Sequence, residues 1–188
     1  MARVIVTEFV SLDGVMEAPG GDDGFVRGAW TFEFDRGDEG NKFKVDETMA
    51  SDALLLGRKT YDGFAAAWPE REGEFADKFN SMPKYVVSST LQDPSWPNTT
   101  VLAGDAVDEV SKLKEGADGE LVVHGSGTLV RALVEADLVD ELRLMVFPVV
   151  LGTGMKLFGD TKDLKKLRLR SSQVVGDGVA ILIYEPAR

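Results

Sequence analysis

The stretch Leu121-Val122-Val123-His124-Gly125-Ser126-Gly127-Thr128-Leu129-Val130 decides how the rest of the chain is read. Its apolar start reads as a buried strand, which breaks at a glycine-flanked turn. A helical pattern then runs from Thr128 to Glu135. Small residues at a strand-to-helix junction let a ligand approach the backbone, and the unpaired amides of a helix start favour a phosphate. Taken alone, the segment is equally a plain structural strand–turn–helix.

Two further strand ends carry similar chemistry. Ala53-Leu54-Leu55-Leu56 is a short buried strand that runs into Gly57-Arg58-Lys59-Thr60 and a helix bearing Tyr61 and Phe64. Cations at a helix N-terminus oppose the macrodipole unless an anion compensates, so this junction suits phosphate. Lys84 to Val87 is a strand ending in Ser88-Ser89-Thr90, whose hydroxyls either donate to phosphate oxygens or simply cap a turn. In a parallel sheet the carboxyl ends of the strands share one edge, and ligands bind beyond it. The G-x-G-x-x-G dinucleotide fingerprint is absent, because Gly125-Ser126-Gly127 is followed by Thr128, Leu129 and Val130.

Around these junctions, Arg3 to Phe9 is the first strand, and Asp13-Gly14 is a turn leading into the polar loop Pro19-Gly20-Gly21-Asp22-Asp23-Gly24. That loop is either a solvated connection or a lid. Trp30, Phe32 and Phe34 alternate, as a short strand or a pocket wall, with core packing as the simpler reading. Asp38 to Ser51, Glu74 to Asn80 and Asp105 to Lys114 have helical patterns, and Thr99 to Leu102 is a brief strand. From Leu138 onward the chain is mostly strand: Asp140 to Val146, then Leu167 to Val175 and Val179 to Tyr184 joined by Gly176-Asp177-Gly178 as a hairpin. The expectation is a single α/β domain over residues 1–188, with a mostly parallel central sheet, flanking helices and antiparallel C-terminal strands.

Composition narrows the chemistry. The formal net charge of -11 argues against nucleic-acid binding through a basic face. No cysteine is present, which removes thiolate catalysis and Cys-ligated metal sites, and the single histidine, His124, cannot build a His-rich metal site. His124 reads better as the last residue of its strand than as a catalyst. No basic-then-apolar signal and no run of membrane-spanning length occurs, so the expectation is a cytoplasmic protein with no metal, nucleic-acid or membrane partner. No side chain here supplies a hydride, so redox chemistry requires a bound cofactor.

The ordered series SLDG (Ser11 to Gly14), LLLGRKTYD (Leu54 to Asp62), KYVVSST (Lys84 to Thr90), ELVVHGSGTLVRAL (Glu120 to Leu133) and DLVDELRLMVFPVVLGTGMKLF (Asp137 to Phe158) resembles the dihydrofolate reductase superfamily. The closer likeness is to the branch of the C-terminal reductase domain of the bifunctional riboflavin-biosynthesis deaminase/reductase. The resemblance covers nearly the whole chain. It implies a mostly parallel eight-stranded sheet and NADPH as cofactor. Gly57, Arg58, Lys59 and Thr60 match the segment that meets the cofactor's phosphates. Ser88, Ser89 and Thr90 match the strand end at the adenosine side and its 2′-phosphate. Gly125, Ser126, Gly127, Thr128 and Leu129 match the turn over the diphosphate. Ser11 to Met16 matches the mobile loop near the nicotinamide, so Asp13, Gly14 and Met16, with Trp30, are the candidates on the nicotinamide and substrate side. The resemblance also implies a carboxylate near the helix before Gly57. Asp35, Asp38, Glu39, Asp46 and Glu47 all lie there, and spacing does not choose among them.

The reading that follows is an NADPH-dependent reductase of a small heterocyclic (pteridine- or ribosylaminopyrimidine-like) or carbonyl substrate. A non-catalytic NADPH- or nucleotide-binding protein on the same fold is the alternative. Leu167 to Tyr184 offers a sheet edge, and related reductase domains are commonly dimers, so a homodimer is expected.

Overall fold

The structure is a computed structural model that describes residues 1–21 and 24–187; Asp22 and Asp23 of the expected polar loop lie outside the described residues. Strands β1 (Arg3–Ser11), β2 (Ala53–Gly57), β3 (Lys84–Val87), β4 (Thr99–Leu102), β5 (Glu120–His124), β6 (Glu141–Phe147), β7 (Leu167–Val175) and β8 (Val179–Pro186) form one eight-stranded sheet in the order β4-β3-β2-β5-β1-β6-β8-β7. β1 to β6 pair in parallel. β8 runs antiparallel to β6, and β7 antiparallel to β8. The helices are α1 (Gly37–Ala50), α2 (Arg58–Ala67), α3 (Glu74–Ser81), α4 (Ala106–Gly116) and α5 (Gly127–Glu135). None of the described helices is long and apolar enough to cross a membrane.

The central strands are apolar on both faces because helices cover both. On one face, Val4, Val6, Leu55, Leu121 and Val123 pack against Val110 of α4 and Leu129, Val130 and Leu133 of α5. On the other, Ile5, Leu54, Leu56 and Val122 pack against Tyr61 of α2 and Phe79 of α3. Each such side chain contributes about 1.5–3 kcal/mol when fully buried. Beyond β1, Phe147 of β6 is ringed edge-on by Phe9, Trp30 and Phe34 at centroid distances of 5.6, 5.4 and 5.8 Å.

The expected elements recur with small shifts at their ends, and one region differs. Trp30, Phe32 and Phe34 form no strand: Trp30–Glu33 is a 3-10 turn, and Trp30 and Phe34 pack into the core, the simpler of the readings. The turn's tight geometry buries Trp30 and leaves Phe32 pointing outward. Trp30 is held further by its indole N–H, which donates to the Glu17 carbonyl at 2.9 Å.

Lys84, which opens β3, is fully buried and has no carboxylate partner among the described residues. Its Nζ donates to the carbonyls of Asn80 (2.9 Å), Met82 (2.8 Å) and Pro97 (3.1 Å), and it lies 4.4 Å from the Trp96 ring centroid. Burial pulls its pKa down to about 8, so at neutral pH it is an ammonium with three donors for three carbonyls. The lysine thus closes the C-terminal end of α3 onto the β3–β4 connection. Lys84→Met strands those acceptors and costs about 2 kcal/mol. The expected result is a thermal midpoint lower by about 4–8 °C in a calorimetric scan. An unchanged midpoint would show that water takes over all three carbonyls.

Candidate functional site

The carboxyl ends of β2, β3 and β5 meet at one edge of the sheet, and hydrogen bonds join the three expected segments there. The Gly57 amide donates to Ser126 Oγ at 2.9 Å, and the Ser126 amide donates to Thr60 Oγ1 at 2.8 Å. An Arg58 Nη1 donates to Thr90 Oγ1 at 3.3 Å. Gly57–Thr60, Ser88–Thr90 and Gly125–Leu129 therefore form one continuous rim.

The turn between β5 and α5 is backbone-defined. Gly125 (φ 55°) and Ser126 (φ 57°) are both left-handed, and for Ser126 this costs about 1 kcal/mol. A side chain on Gly125 would lie 3.0 Å from Thr60 Oγ1, so glycine is what lets α2 approach. Neither α2 nor α5 has a side-chain N-cap or an acidic residue in its first turn. The other three helices each carry acids there, and α4 is capped by Asp105 as well. The first amides of α2 and α5 have no intrahelical acceptor. Two bare helix N-termini thus converge at this rim, an arrangement that favours an anion.

The cationic part of the rim differs from the sequence-based argument. Arg58 already has a partner at its Nε, which donates to Asp62, one helical turn on, at 2.9 Å, while its Nη1 turns towards Thr90. Lys59 is exposed. Ser88 is buried and serves the turn: its Oγ accepts from the amides of Thr90 (3.3 Å) and Leu91 (3.1 Å). Ser89 and Thr90 are exposed. Beside Arg58, the cleft between α2 and the segment after β3 holds about 320 Å³ and is lined by Tyr61, Asp62, Leu91 and Asp93 among others.

The loop Ser11–Met16 reaches the same rim. Met16 is buried, and its Sδ and that of Met155 pack over Gly127, where an added Cβ would stand 2.9 and 2.7 Å from them. Thr128 is exposed and Leu129 buried beside this contact. Gly14 (φ 82°) turns the loop. Asp13 ties it down: its carboxylate accepts from the amides of Leu151 (3.0 Å) and Gly152 (2.8 Å) and from Ser11 Oγ (2.6 Å). Those bonds, Ser11 foremost, hold its pKa down at about 2. Glu17 repeats the device, its Oε2 accepting from the Met155 amide at 2.7 Å. Trp30 lies apart from the rim, in the core around Phe147.

Sequence reasoning left a second cluster unread. On the α1 side of β1, Thr7 Oγ1 lies 2.9 Å from both Glu47 carboxylate oxygens and 3.0 Å from Lys44 Nζ, and Lys44 pairs with Glu47. Of the five acidic candidates in this region, Glu47 is the buried one. His124, paired in register with Thr7, packs against Phe79 and Phe64 at 5.2 and 6.3 Å. Burial, reinforced by Lys44, pulls its pKa well down, so it is neutral. The buried Nε2 of His124 and Oγ1 of Thr48 have no hydrogen-bond partner among the described residues. Glu8, on the opposite face of β1, is a third such case. A signal for it was present: a carboxylate within the run RVIVTEF is out of place in a central strand unless it has a task.

A family model described as the RibD C-terminal domain matches residues 2–181, and the chain belongs to that family. The protein YyaP of Bacillus subtilis (strain 168) is 29% identical over 188 residues, which cover 97% of this chain and 94% of YyaP. A Shewanella sp. PV-4 protein assigned to riboflavin biosynthesis superposes with a TM-score of 0.79 at 25% identity over 99% of both chains. Dihydrofolate reductase from Enterococcus faecalis, solved with NADP(H), superposes with a TM-score of 0.59 at 13% identity, covering 99% of this chain and 97% of that one. The fold is that of dihydrofolate reductase.

Asp13 gives this site a measurable clasp. Its pKa lies below the ordinary value, so its contribution is present above pH 3.8 and is lost as pH falls towards about 2. Asp13→Ala should speed hydrogen exchange at the Leu151 and Gly152 amides by about tenfold at neutral pH and leave β5 amides unchanged. Equal exchange in both proteins would mean that other contacts hold the loop.

Proposed function

We propose that this member of the RibD C-terminal domain family is an NADPH-dependent reductase of a small heterocyclic substrate of pteridine or ribosylaminopyrimidine type, or of a carbonyl compound. The observation that carries the reading is the convergence of two uncapped, acid-free helix N-termini at Gly57 and Ser126. They fit a diphosphate, with Arg58, Ser88, Ser89 and Thr90 at the neighbouring strand end for a phosphate ester. Bound NADPH supplies the hydride.

The chain's own residues then have distinct tasks. The amides of Gly127, Thr128 and Leu129 bind the diphosphate, and Thr60 and Ser126 hold the turn in shape. Met16 and Met155 close over Gly127 and exclude water from it. The substrate ring lies on the α1 side of β1, where His124 Nε2 and Thr48 Oγ1 are available to hydrogen-bond it. On that face the Lys44–Glu47 pair is the proton-carrying group, positioned by Thr7 Oγ1. The location is cytoplasmic.

A homodimer through β7 belongs to the same proposal. β7 is one of the two edge strands, and it exposes Leu169 and Val174 at 48% and 70%. Exposed apolar edges favour pairing.

Fluorescence titration with NADPH and NADH tests the cofactor. NADPH should bind more tightly, and Arg58→Ala should reduce that preference by about tenfold. No binding of either nucleotide refutes the reading. NADPH oxidation with dihydrofolate, a ribosylaminopyrimidine and simple carbonyls tests turnover, and tight binding without turnover on any of them would assign a nucleotide-binding protein instead. Light scattering should return twice the chain mass; a monomer mass rejects the dimer.

A further inference from the structure

The chain has six methionines and no cysteine, so the thioether is the only sulfur it presents to an oxidant. The methionines are not equivalent. Met82 and Met145 are buried in the core, Met49 is half-buried on α1, and Met1 is exposed. Met16 and Met155 lie together at the rim, each with its Sδ against Gly127, the first residue of α5. Of this pair Met16 is 5% exposed and Met155 38%.

The backbone that carries Met155 is held on both sides. Its amide donates to Glu17 at 2.7 Å, and its carbonyl accepts from the Met16 amide at 2.8 Å. The next two carbonyls, those of Lys156 and Leu157, accept from the Arg131 guanidinium of α5. Met155 is thus tied once to the Ser11–Glu17 loop and once to the helix whose start it covers. The contact is close because residue 127 is glycine: a Cβ there would stand 2.7 Å from Met155 Sδ, so no further heavy atom fits between the thioether and the helix backbone. An oxygen added to that sulfur either pushes the side chain off Gly127 or lies along the start of α5. There the first amides have no intrahelical acceptor, and a sulfoxide oxygen accepts hydrogen bonds where a thioether hardly does. Either result takes from a diphosphate what it needs at this turn, the closed cover or the free amides.

We propose that Met155 is a site of oxidative modification, and that its sulfoxide closes the diphosphate turn to the dinucleotide. This rests on the dinucleotide reading above and adds a modification that controls access to the turn. The step is a two-electron oxygen transfer from hydrogen peroxide. The sulfur lone pair attacks one peroxide oxygen, an S–O bond forms, the O–O bond breaks, and the leaving hydroxide takes up a proton to become water. Sulfur is oxidised and peroxide is reduced. A methionine sulfoxide reductase reverses the change. The coupling runs both ways, so a dinucleotide lying over Gly127 shields Met155.

The test treats the whole chain with hydrogen peroxide and reads each methionine by peptide mass spectrometry. Met155 should gain one oxygen soon after Met1 and well before Met16, Met82 and Met145. NADP⁺ at about ten times its Kd should slow the oxidation of Met155 about tenfold and leave that of Met1 unchanged. In calorimetric titration, wild type should lose about tenfold in NADP⁺ affinity after treatment, and methionine sulfoxide reductase should restore it. Met155→Leu, compared with its own untreated form, should keep its affinity through the same treatment. Three results would overturn the proposal and leave the dinucleotide reading standing: an unmodified Met155 when Met1 is fully oxidised, an unchanged affinity once Met155 carries the oxygen, or an equal loss in Met155→Leu. Failure of untreated wild type to bind NADP⁺ would overturn both.

Discussion

The early departure of β5 from the sheet is the constraint on which the site depends. β1 keeps its ladder with β6 to Ser11, but β5 turns away after His124 because Gly125 and Ser126 take left-handed conformations. That leaves backbone groups at the carboxyl edge that no strand satisfies. On one side Ser126 and Thr60 satisfy them with hydroxyls. On the other side a polar side chain, Glu8, stands where Val6 and Val10 would predict another valine. An unpaired buried polar group costs about 1–3 kcal/mol, so the fold accepts a local loss of stability at the point where strands part. Such losses concentrate where a ligand completes the bonding.

Two layers of the chain carry two kinds of chemistry as a result. On the α5 face the rim is built from backbone amides and glycine, which suits a diphosphate. On the α1 face a buried ion pair, a neutral histidine and a threonine lie under the strand. β1 divides the two, and its successive residues Thr7 and Glu8 point one to each side.

Periodicity made the skeleton legible. Leu54-Leu55-Leu56 and Leu121-Val122-Val123, each ending at a glycine turn, read as strands covered on both faces, and the Gly176-Asp177-Gly178 turn pointed to the final hairpin. The three segments of the rim stood out as glycine and hydroxyls after buried strands, residues that also serve simply as turns and caps, as Ser88 does here. What escaped the sequence depends on three-dimensional neighbours. Lys84 reads as the exposed start of a strand until the carbonyls of Asn80, Met82 and Pro97 surround it. Glu47 is one of five acids in its region, and only the depth of α1 against β1 sets it apart. Arg58 was read as awaiting an anion, yet Asp62 lies one turn along the same helix, a spacing present in the sequence and outweighed by the macrodipole argument. Trp30, Phe32 and Phe34 alternate as a strand would, but a 3-10 turn over Trp30–Glu33 sends Trp30 and Phe32 to different sides, one buried and one exposed.

The clasp between the loop at Ser11–Glu17 and the segment at Leu151–Met155 has an evolutionary consequence. Asp13 and Glu17 hold that segment through the amides of Leu151, Gly152 and Met155, not through their side chains. A backbone amide is present whatever residue follows it, proline excepted. The anchor itself therefore sets no demand on the side chains at 151, 152 and 155; burial of Leu151 and the left-handed backbone of Gly152 and Gly154 set those separately. An exposed position of the segment such as Val150 can change its side chain while the two carboxylates on the facing loop keep the clasp.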